Sequence, residues 1–204
     1  MISVIVIAKN EQDRIDVCLK SVKWADEIIV ADNGSTDKTM DIAKKYTDKI
    51  IEYKEQDFAT LRNKAIEKAM GDWVFYVDAD ERVLESLKEE ILKQVQDDRY
   101  SAYAVSRKNI IFGTEVSYGP YKHDWVIRLL RKDKFKKWVG RVHEYPEFEG
   151  NLGYTKNSLL HLTHRDIDQM VLKSLDWSKI DANLRLEAHH PKMSGWRFLR
   201  ILIT

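Results

Sequence analysis

Four short β-prone runs, at residues 2–8, 27–31, 49–52 and 73–77, alternate with stretches whose apolar residues recur every three or four positions. The first, Ile2-Ser3-Val4-Ile5-Val6-Ile7-Ala8, is almost continuously apolar, as suits a central strand buried on both faces. Ile15, Cys18, Leu19 and Val22 form the apolar stripe of a helix that runs to about Lys23. A second helix is expected over 36–45. A third runs from about 58 to 70, with Phe58, Leu61, Ala65 and Ala69 on one face. Strands alternating with helices of this length require βαβ units, right-handed crossovers and a parallel sheet.

The ends of three runs are polar. The first stops at Lys9-Asn10-Glu11. The second stops at Asp32-Asn33-Gly34-Ser35-Thr36-Asp37, a turn and helix start with Ser35 or Thr36 as N-cap. The fourth, Trp73-Val74-Phe75-Tyr76-Val77, gives way to Asp78-Ala79-Asp80-Glu81-Arg82. In a parallel sheet these three ends share one edge, where open α/β sheets gather ligands. Asp78 and Asp80, at alternate positions, can approach one hard cation. Mg²⁺ binds typically through one or two carboxylates plus substrate phosphates. A lone D-x-D suits a solvated acidic loop equally well, and it is the convergence of three polar ends that favours a nucleotide pocket. Neither G-x-G-x-x-G nor a P-loop follows the first strand, so a phosphate must be held by metal and basic side chains.

The pattern changes after a helix over about 84–96. Strands are expected at 100–106, 125–131 and 159–162, with a long loop marked by Gly113, Gly119 and Pro120 between the first two. A helix spans about 166–187. Without repeats or linker-like segments, one α/β domain over 1–204 is expected. Its nucleotide half is 1–99, its acceptor-side half 100–190, and its tail 191–204. Residues 1–100 carry 16 Lys+Arg against 22 Asp+Glu, and residues 101–204 carry 18 against 11. An acidic front suits a metal site, and a basic back suits an anionic substrate or a membrane surface. No zinc-finger spacing or RRM aromatic signature points to nucleic acid. Cys18, the only cysteine, lies on an apolar stripe and reads as core. No basic leader opens the chain and no apolar run reaches the ~18 residues of a membrane span, so a cytoplasmic location is expected. The tail from Gly195 to Thr204 suits either an interfacial helix or one docked on the domain.

These motifs together resemble the family 2 glycosyltransferases of GT-A fold, over about residues 1–200. The resemblance is carried by Val6-Ile7-Ala8-Lys9-Asn10-Glu11, by Asp32 through Asp37, by Arg62-Asn63-Lys64-Ala65, and by Gly71-Asp72-Trp73 through Arg82. With Trp125-x-x-Arg128-Leu129-x-Arg131 and Val142-His143-Glu144, the chain is most similar to the lipopolysaccharide-core β-glucosyltransferase subgroup. The resemblance implies a Rossmann-like, mostly parallel central sheet flanked by helices, with a smaller mixed acceptor-side region. It implies an inverting, metal-dependent enzyme that moves a sugar from a nucleotide-diphosphate donor, expected to be a UDP-sugar. The acceptor would be a glycan or a lipid-linked glycan of the cell surface, met on the inner face of the membrane.

By position, Ala8, Asn10 and Glu11 would hold the nucleoside, and Asp32 and Asn33 would face the base. Asn33 replaces an acid that many members carry. Asp78 would lie near the ribose, with Arg62 steadying that region. Asp80 would ligate a divalent cation, Mg²⁺ or Mn²⁺, at the diphosphate. His161, within Leu159-Leu160-His161-Leu162, is either a further ligand of that cation or a hydrogen-bonded core histidine; His143 is similarly open. Inversion requires a carboxylate base opposite the leaving group. Glu144 is the first candidate and Asp124 the second, with Glu115 behind them. Arg128 and Arg131 would meet a phosphate or solvate an exposed strand face. Trp73, Trp125, Trp138 and Trp177 are core by type, although Trp125 or Tyr121 could stack on a sugar. Two alternatives stand beside this. A sugar-phosphate nucleotidyltransferase would need a glycine-rich basic loop where Ala8-Lys9-Asn10-Glu11 stands. Against a non-catalytic nucleotide- or glycan-binding module stand the intact Asp78 and Asp80.

Overall fold

The computed structural model describes residues 1–53, 57–122, 124–140, 144–164 and 166–189. The chain divides into two compact units, 1–165 and 166–204. His143 and the tail 191–204 lie outside the described residues.

The first unit opens with β1 (Ile2–Ala8), α1 (Ile15–Ser21), β2 (Glu27–Asp32), α2 (Thr39–Ala43), β3 (Ile50–Glu52), α3 (Phe58–Lys68) and β4 (Trp73–Asp78). The four strands lie in the order β3-β2-β1-β4, all parallel, as the alternation of runs requires. Ala8 pairs with Asp32 and Ile7 with Asp78, so the carboxyl ends of β1, β2 and β4 stop level with one another. That register makes the three polar clusters neighbours.

The chain continues through β5 (Glu81–Arg82), α4 (Glu85–Gln94), β6 (Ala102–Ile111), β7 (Thr114–Val116), β8 (Trp125–Arg131), β9 (Phe135–Val139), β10 (Tyr145–Phe148) and β11 (Leu152–His161). β8 extends the sheet antiparallel to β4, β6 lies antiparallel to β8, and β11 runs parallel to β6. β5 pairs antiparallel with the end of β11, and β9 with β10 forms a separate hairpin. The result is a mixed α/β sheet with a parallel half followed by a mixed half.

Alternation along β1 sorts the core onto two faces. Val4 and Val6 pack with Ile15, Cys18 and Leu19 of α1 and with Leu87 and Ile91 of α4. Ile5 and Ile7 pack with Leu61 and Ala65 of α3 and with Trp138 of β9. Cys18 is fully buried, and burial pushes its thiol far up, as befits an inert core residue.

The expected long loop at 107–124 is partly structure. β6 runs on to Ile111 and folds back as β7 through Phe112 (φ 50°) and Gly113 (φ 82°), two positive-φ residues that match the twist of a tight hairpin. β11 begins well before the expected 159, because Tyr154, Lys156 and Ser158 keep one face out of the core and dilute the apolar signal. Trp73 and Trp138 are buried, whereas Trp125 and Trp177 are 41% and 44% exposed, against the expectation of core.

The second unit contains α5 (Ile167–Glu187), capped by Asp166, whose carboxylate accepts the Gln169 N–H at 2.7 Å. Among the described residues no helix is long and apolar enough to cross a membrane.

At the amino ends of the strands, Glu27 is buried and accepts hydrogen bonds from Ser3 Oγ, Lys49 Nζ and the Met70 N–H. Gly71 donates its N–H to Ser3 Oγ at 2.8 Å, and a Cβ there would meet the Ser3 nitrogen at 2.6 Å. Gly71→Ala should therefore lower stability by about 1–3 kcal/mol through overpacking. A urea midpoint unchanged from wild type would refute this close approach.

Candidate active site

The loops after β1 and β2 are laced to each other. Asn10 takes a left-handed backbone (φ 55°), which carboxamide residues tolerate better than most. Its N–H donates to Ser35 Oγ at 2.8 Å, and its Oδ1 accepts the Thr36 N–H at 2.8 Å. Glu11 N–H donates to Thr39 Oγ1 at 2.7 Å, and Asn33 N–H to the Ala8 carbonyl at 2.9 Å. Asp32 closes its own turn by accepting the Ser35 N–H at 2.9 Å and the Ser35 hydroxyl. Ala8, Asn10, Glu11, Asp32 and Asn33 thus form one rim.

That rim adjoins the acidic turn after β4. The Ala79 N–H donates to the Ile7 carbonyl at 2.9 Å and the Leu162 N–H to the Asp80 carbonyl at 2.9 Å, so the turn is sewn between β1 and the end of β11. Buried Arg82 braces it, donating to the Ala79, Glu81 and Arg14 carbonyls at 2.9, 2.6 and 2.8 Å.

The two aspartates occupy different environments. Asp78 receives Arg62 Nη2 at 2.8 Å on one oxygen and Arg128 on the other. Burial alone would raise its carboxyl. The Arg128 and Arg62 guanidiniums outweigh burial and hold it far below the ordinary carboxylate range. Arg128 also reaches Glu81 at 3.1 Å, and Glu81 Oε2 accepts the Asp78 N–H at 2.9 Å. Glu81 is fully buried, and that burial pushes its carboxyl up against the pull of Arg128. Arg62 lies against the rings of Trp138 (5.0 Å) and Tyr76 (5.5 Å), where aromatic faces meet the part of its charge turned from Asp78.

Asp80 lies with His161, whose Nε2 is 3.5 Å from Asp80 Oδ2. Two ligand atoms each about 2.1 Å from one cation lie about 3–3.5 Å apart, so this pair fits a divalent ion. Among the described residues no third His, Cys, Asp or Glu joins them.

Asp124, the second candidate base, stands on the far side of His161. It is held in a fork by Arg107 at 2.9 and 2.7 Å and accepts Asn109 Nδ2 at 2.9 Å. Burial would raise its carboxyl, but Arg107 and Asn109 hold it below the ordinary range. Glu144 is partly buried and directly precedes β10. Its hairpin is clamped to α3 by Asn63, which donates to the Trp138 carbonyl at 3.0 Å and accepts the Trp138 N–H at 2.7 Å. No contact among the described residues joins Glu144 to Asp80. Glu115 pairs with Lys108 at 2.8 Å on the β6–β7 hairpin.

Glu81, Arg107 and Asn109 were missed by sequence reasoning, because each reads as an ordinary polar residue in or beside a strand. Arg128, expected to meet a phosphate or to solvate an exposed strand face, is 4% exposed and engaged with Asp78 and Glu81. Arg131 is the outward member of the pair, bonded to Asp98 and Asp133 at 3.3 Å each.

Arg128→Met leaves two carboxylates sharing a buried site, at an expected cost of about 3–5 kcal/mol. One of them must then take up a proton on folding, so the native state binds more protons than the unfolded chain and stability falls as pH rises. In the wild type Asp78 acts with the opposite sign. Its contribution is complete above its ordinary value of 3.8 and is lost as pH falls below it. Urea denaturation at about pH 5 and pH 8 should show a larger loss for Arg128→Met at the higher pH. Equal losses would refute the shared-arginine arrangement.

Residues 3–160 match the family model described as glycosyl transferase family 2. A lipopolysaccharide core biosynthesis glycosyltransferase, LpsC of Rhizobium meliloti (strain 1021), is 27% identical over 211 residues, covering 100% of this chain and 77% of its own. The SPbeta prophage-derived glycosyltransferase SunS of Bacillus subtilis (strain 168) is 32% identical over 210 residues, covering 95% of this chain but 46% of its own. Among solved structures, S. aureus TarS 1–349 in complex with UDP superposes with a TM-score of 0.58 at 18% identity, over 79% of this chain and 60% of that one. The likeness to TarS is one of fold.

Proposed function

The chain belongs to glycosyl transferase family 2, and we propose that it is an inverting, cation-dependent enzyme that transfers a sugar from a UDP-sugar to a hydroxyl of a cell-surface glycan. The observation that carries this reading is the level ending of β1, β2 and β4 beside the Asp80–His161 pair. A nucleoside needs an edge lined by fixed polar groups, and Asn10, Asp32 and Asn33 supply it. TarS, which shares the fold, has been solved with UDP and with UDP-GlcNAc. LpsC, alike along the whole of this chain, is named for lipopolysaccharide core biosynthesis, which favours a glycan acceptor.

In this reading Asp80 and His161 hold a divalent cation, and the mixed oxygen and nitrogen donors suit Mn²⁺ better than Mg²⁺. When bound, the ion supplies Lewis-acid stabilisation of the charge that builds on the departing diphosphate. Asp78, with both oxygens held by arginines, accepts from the ribose on its remaining lone pairs. Glu144 takes the proton of the acceptor hydroxyl as its oxygen attacks the anomeric carbon from the side opposite the diphosphate. The bond from that carbon to the diphosphate oxygen breaks, the nucleoside diphosphate leaves, and the configuration inverts. Asp124 is the poorer base, since Arg107 and Asn109 hold it as the carboxylate.

Thermal shift with UDP and Mn²⁺ together should stabilise the wild type by about 2.7 kcal/mol at a hundred times Kd. Asp80→Asn should lose the Mn²⁺-dependent part. Glu144→Gln should keep UDP binding and lower kcat by about 10²–10⁴-fold. Absence of any nucleotide-diphosphate binding would refute the reading, and full activity in Glu144→Gln would reassign the base.

A further inference from the structure

β6 and β11 run parallel with Asn109 opposite His161, and this pairing builds a relay with one possible direction. Arg107 holds Asp124 by two hydrogen bonds of 2.9 and 2.7 Å, so Asp124 is a fixed carboxylate with acceptor sites only. Asn109, 1% exposed, must therefore turn its NH₂ to Asp124, which it meets at 2.9 Å. Its carbonyl oxygen is left facing His161 Nδ1 at 2.6 Å. An amide oxygen only accepts, so the proton in that bond belongs to Nδ1. In the neutral ring Nε2 then carries the lone pair, and it is Nε2 that lies 3.5 Å from Asp80.

We propose that Asn109 is a positioning residue: oriented by Asp124 and Arg107, it fixes His161 in the Nδ1–H tautomer so that Nε2 is a ligand for the cation beside Asp80. This rests on the cation-dependent reading above. It gives Asp124 a task other than proton abstraction, that of setting the direction of the Asn109 amide. It also explains why a polar asparagine is sealed inside a strand. Side chains that orient a metal-bound histidine through its second nitrogen matter nearly as much as the ligand itself.

The tautomer can be read without metal, by long-range ¹H–¹⁵N correlation on histidine-labelled full-length chain, with His161→Gln for assignment. At pH about 8.5, above the ordinary imidazole range, the wild type should show His161 with the proton on Nδ1. Asn109→Leu should lose that preference and weaken Mn²⁺ binding in the presence of UDP, followed by electron paramagnetic resonance, by about 10–100-fold. Asn109→Asp should weaken it as well, because two carboxylates then face each other. The tautomer is the readout that a purely structural role would not move.

Retention of the tautomer and of Mn²⁺ affinity within about twofold in Asn109→Leu would overturn the proposal, given the effect expected of such a residue. Tight Mn²⁺ binding by a wild type whose His161 proton sits on Nε2 would overturn this inference alone. An Nδ1–H tautomer with no Mn²⁺ binding would instead fell the cation reading, and the inference with it.

Discussion

The structure depends on a run of alternating charge through its interior: Arg62, Asp78, Arg128, Glu81, Arg107 and Asp124. Each of these groups would cost several kcal/mol to bury by itself. Their alternation makes burial tolerable, and it does so only in one arrangement. Arg62 comes from α3, Asp78 from β4, Glu81 from β5, Arg107 from β6, Arg128 from β8 and Asp124 from the residue before it. A slip of one residue in any of these strands would turn a side chain to the opposite face and leave its partner buried and unpaired. The charge run therefore specifies the register of the mixed half of the sheet more sharply than its apolar residues do.

This explains how unevenly the sequence could be read. β1, β2 and β4 are buried on both faces, so they appear as unbroken apolar runs, and their polar endings predict a shared edge without any knowledge of the fold. β6 and β11 carry the charge run and its neighbours on one face, and the ten-residue segments Ala102–Ile111 and Leu152–His161 are too polar to be recognised in full. The hairpin of β9 and β10 was missed for a related reason. Lys136 and Lys137 interrupt its pattern, and much of its fixing comes from Asn63 on a distant helix.

The candidate site residues divide in the same way. Asn10, Asp32, Asp78 and Asp80 end or follow strands and are visible as punctuation. Arg62 is visible as part of a motif, but its two aromatic neighbours are not, because Tyr76 and Trp138 lie far apart in sequence and read simply as core. Arg128 reads as a residue that meets a phosphate or solvates an exposed face, because a charge within an apolar strand normally points outward. Here it points inward to Asp78 and Glu81. No local pattern signals such an inversion, since its cause is two carboxylates contributed by other strands.

The short motif Asp78-Ala79-Asp80 shows the limit of spacing as a guide. Read by spacing alone, the two acids are equivalent candidates for one cation. In the folded chain Asp78 has two guanidiniums and is electrically satisfied, so a cation placed on it would meet Arg62 and Arg128 at close range. Asp80 faces the imidazole of His161 and is the member a cation can share. Burial sharpens the difference, because repulsion between a cation and a guanidinium is screened least in a low-dielectric interior. Chemically identical side chains two positions apart thus receive different partners from other elements: Asp78 takes two guanidiniums of the charge run, and Asp80 the imidazole of His161.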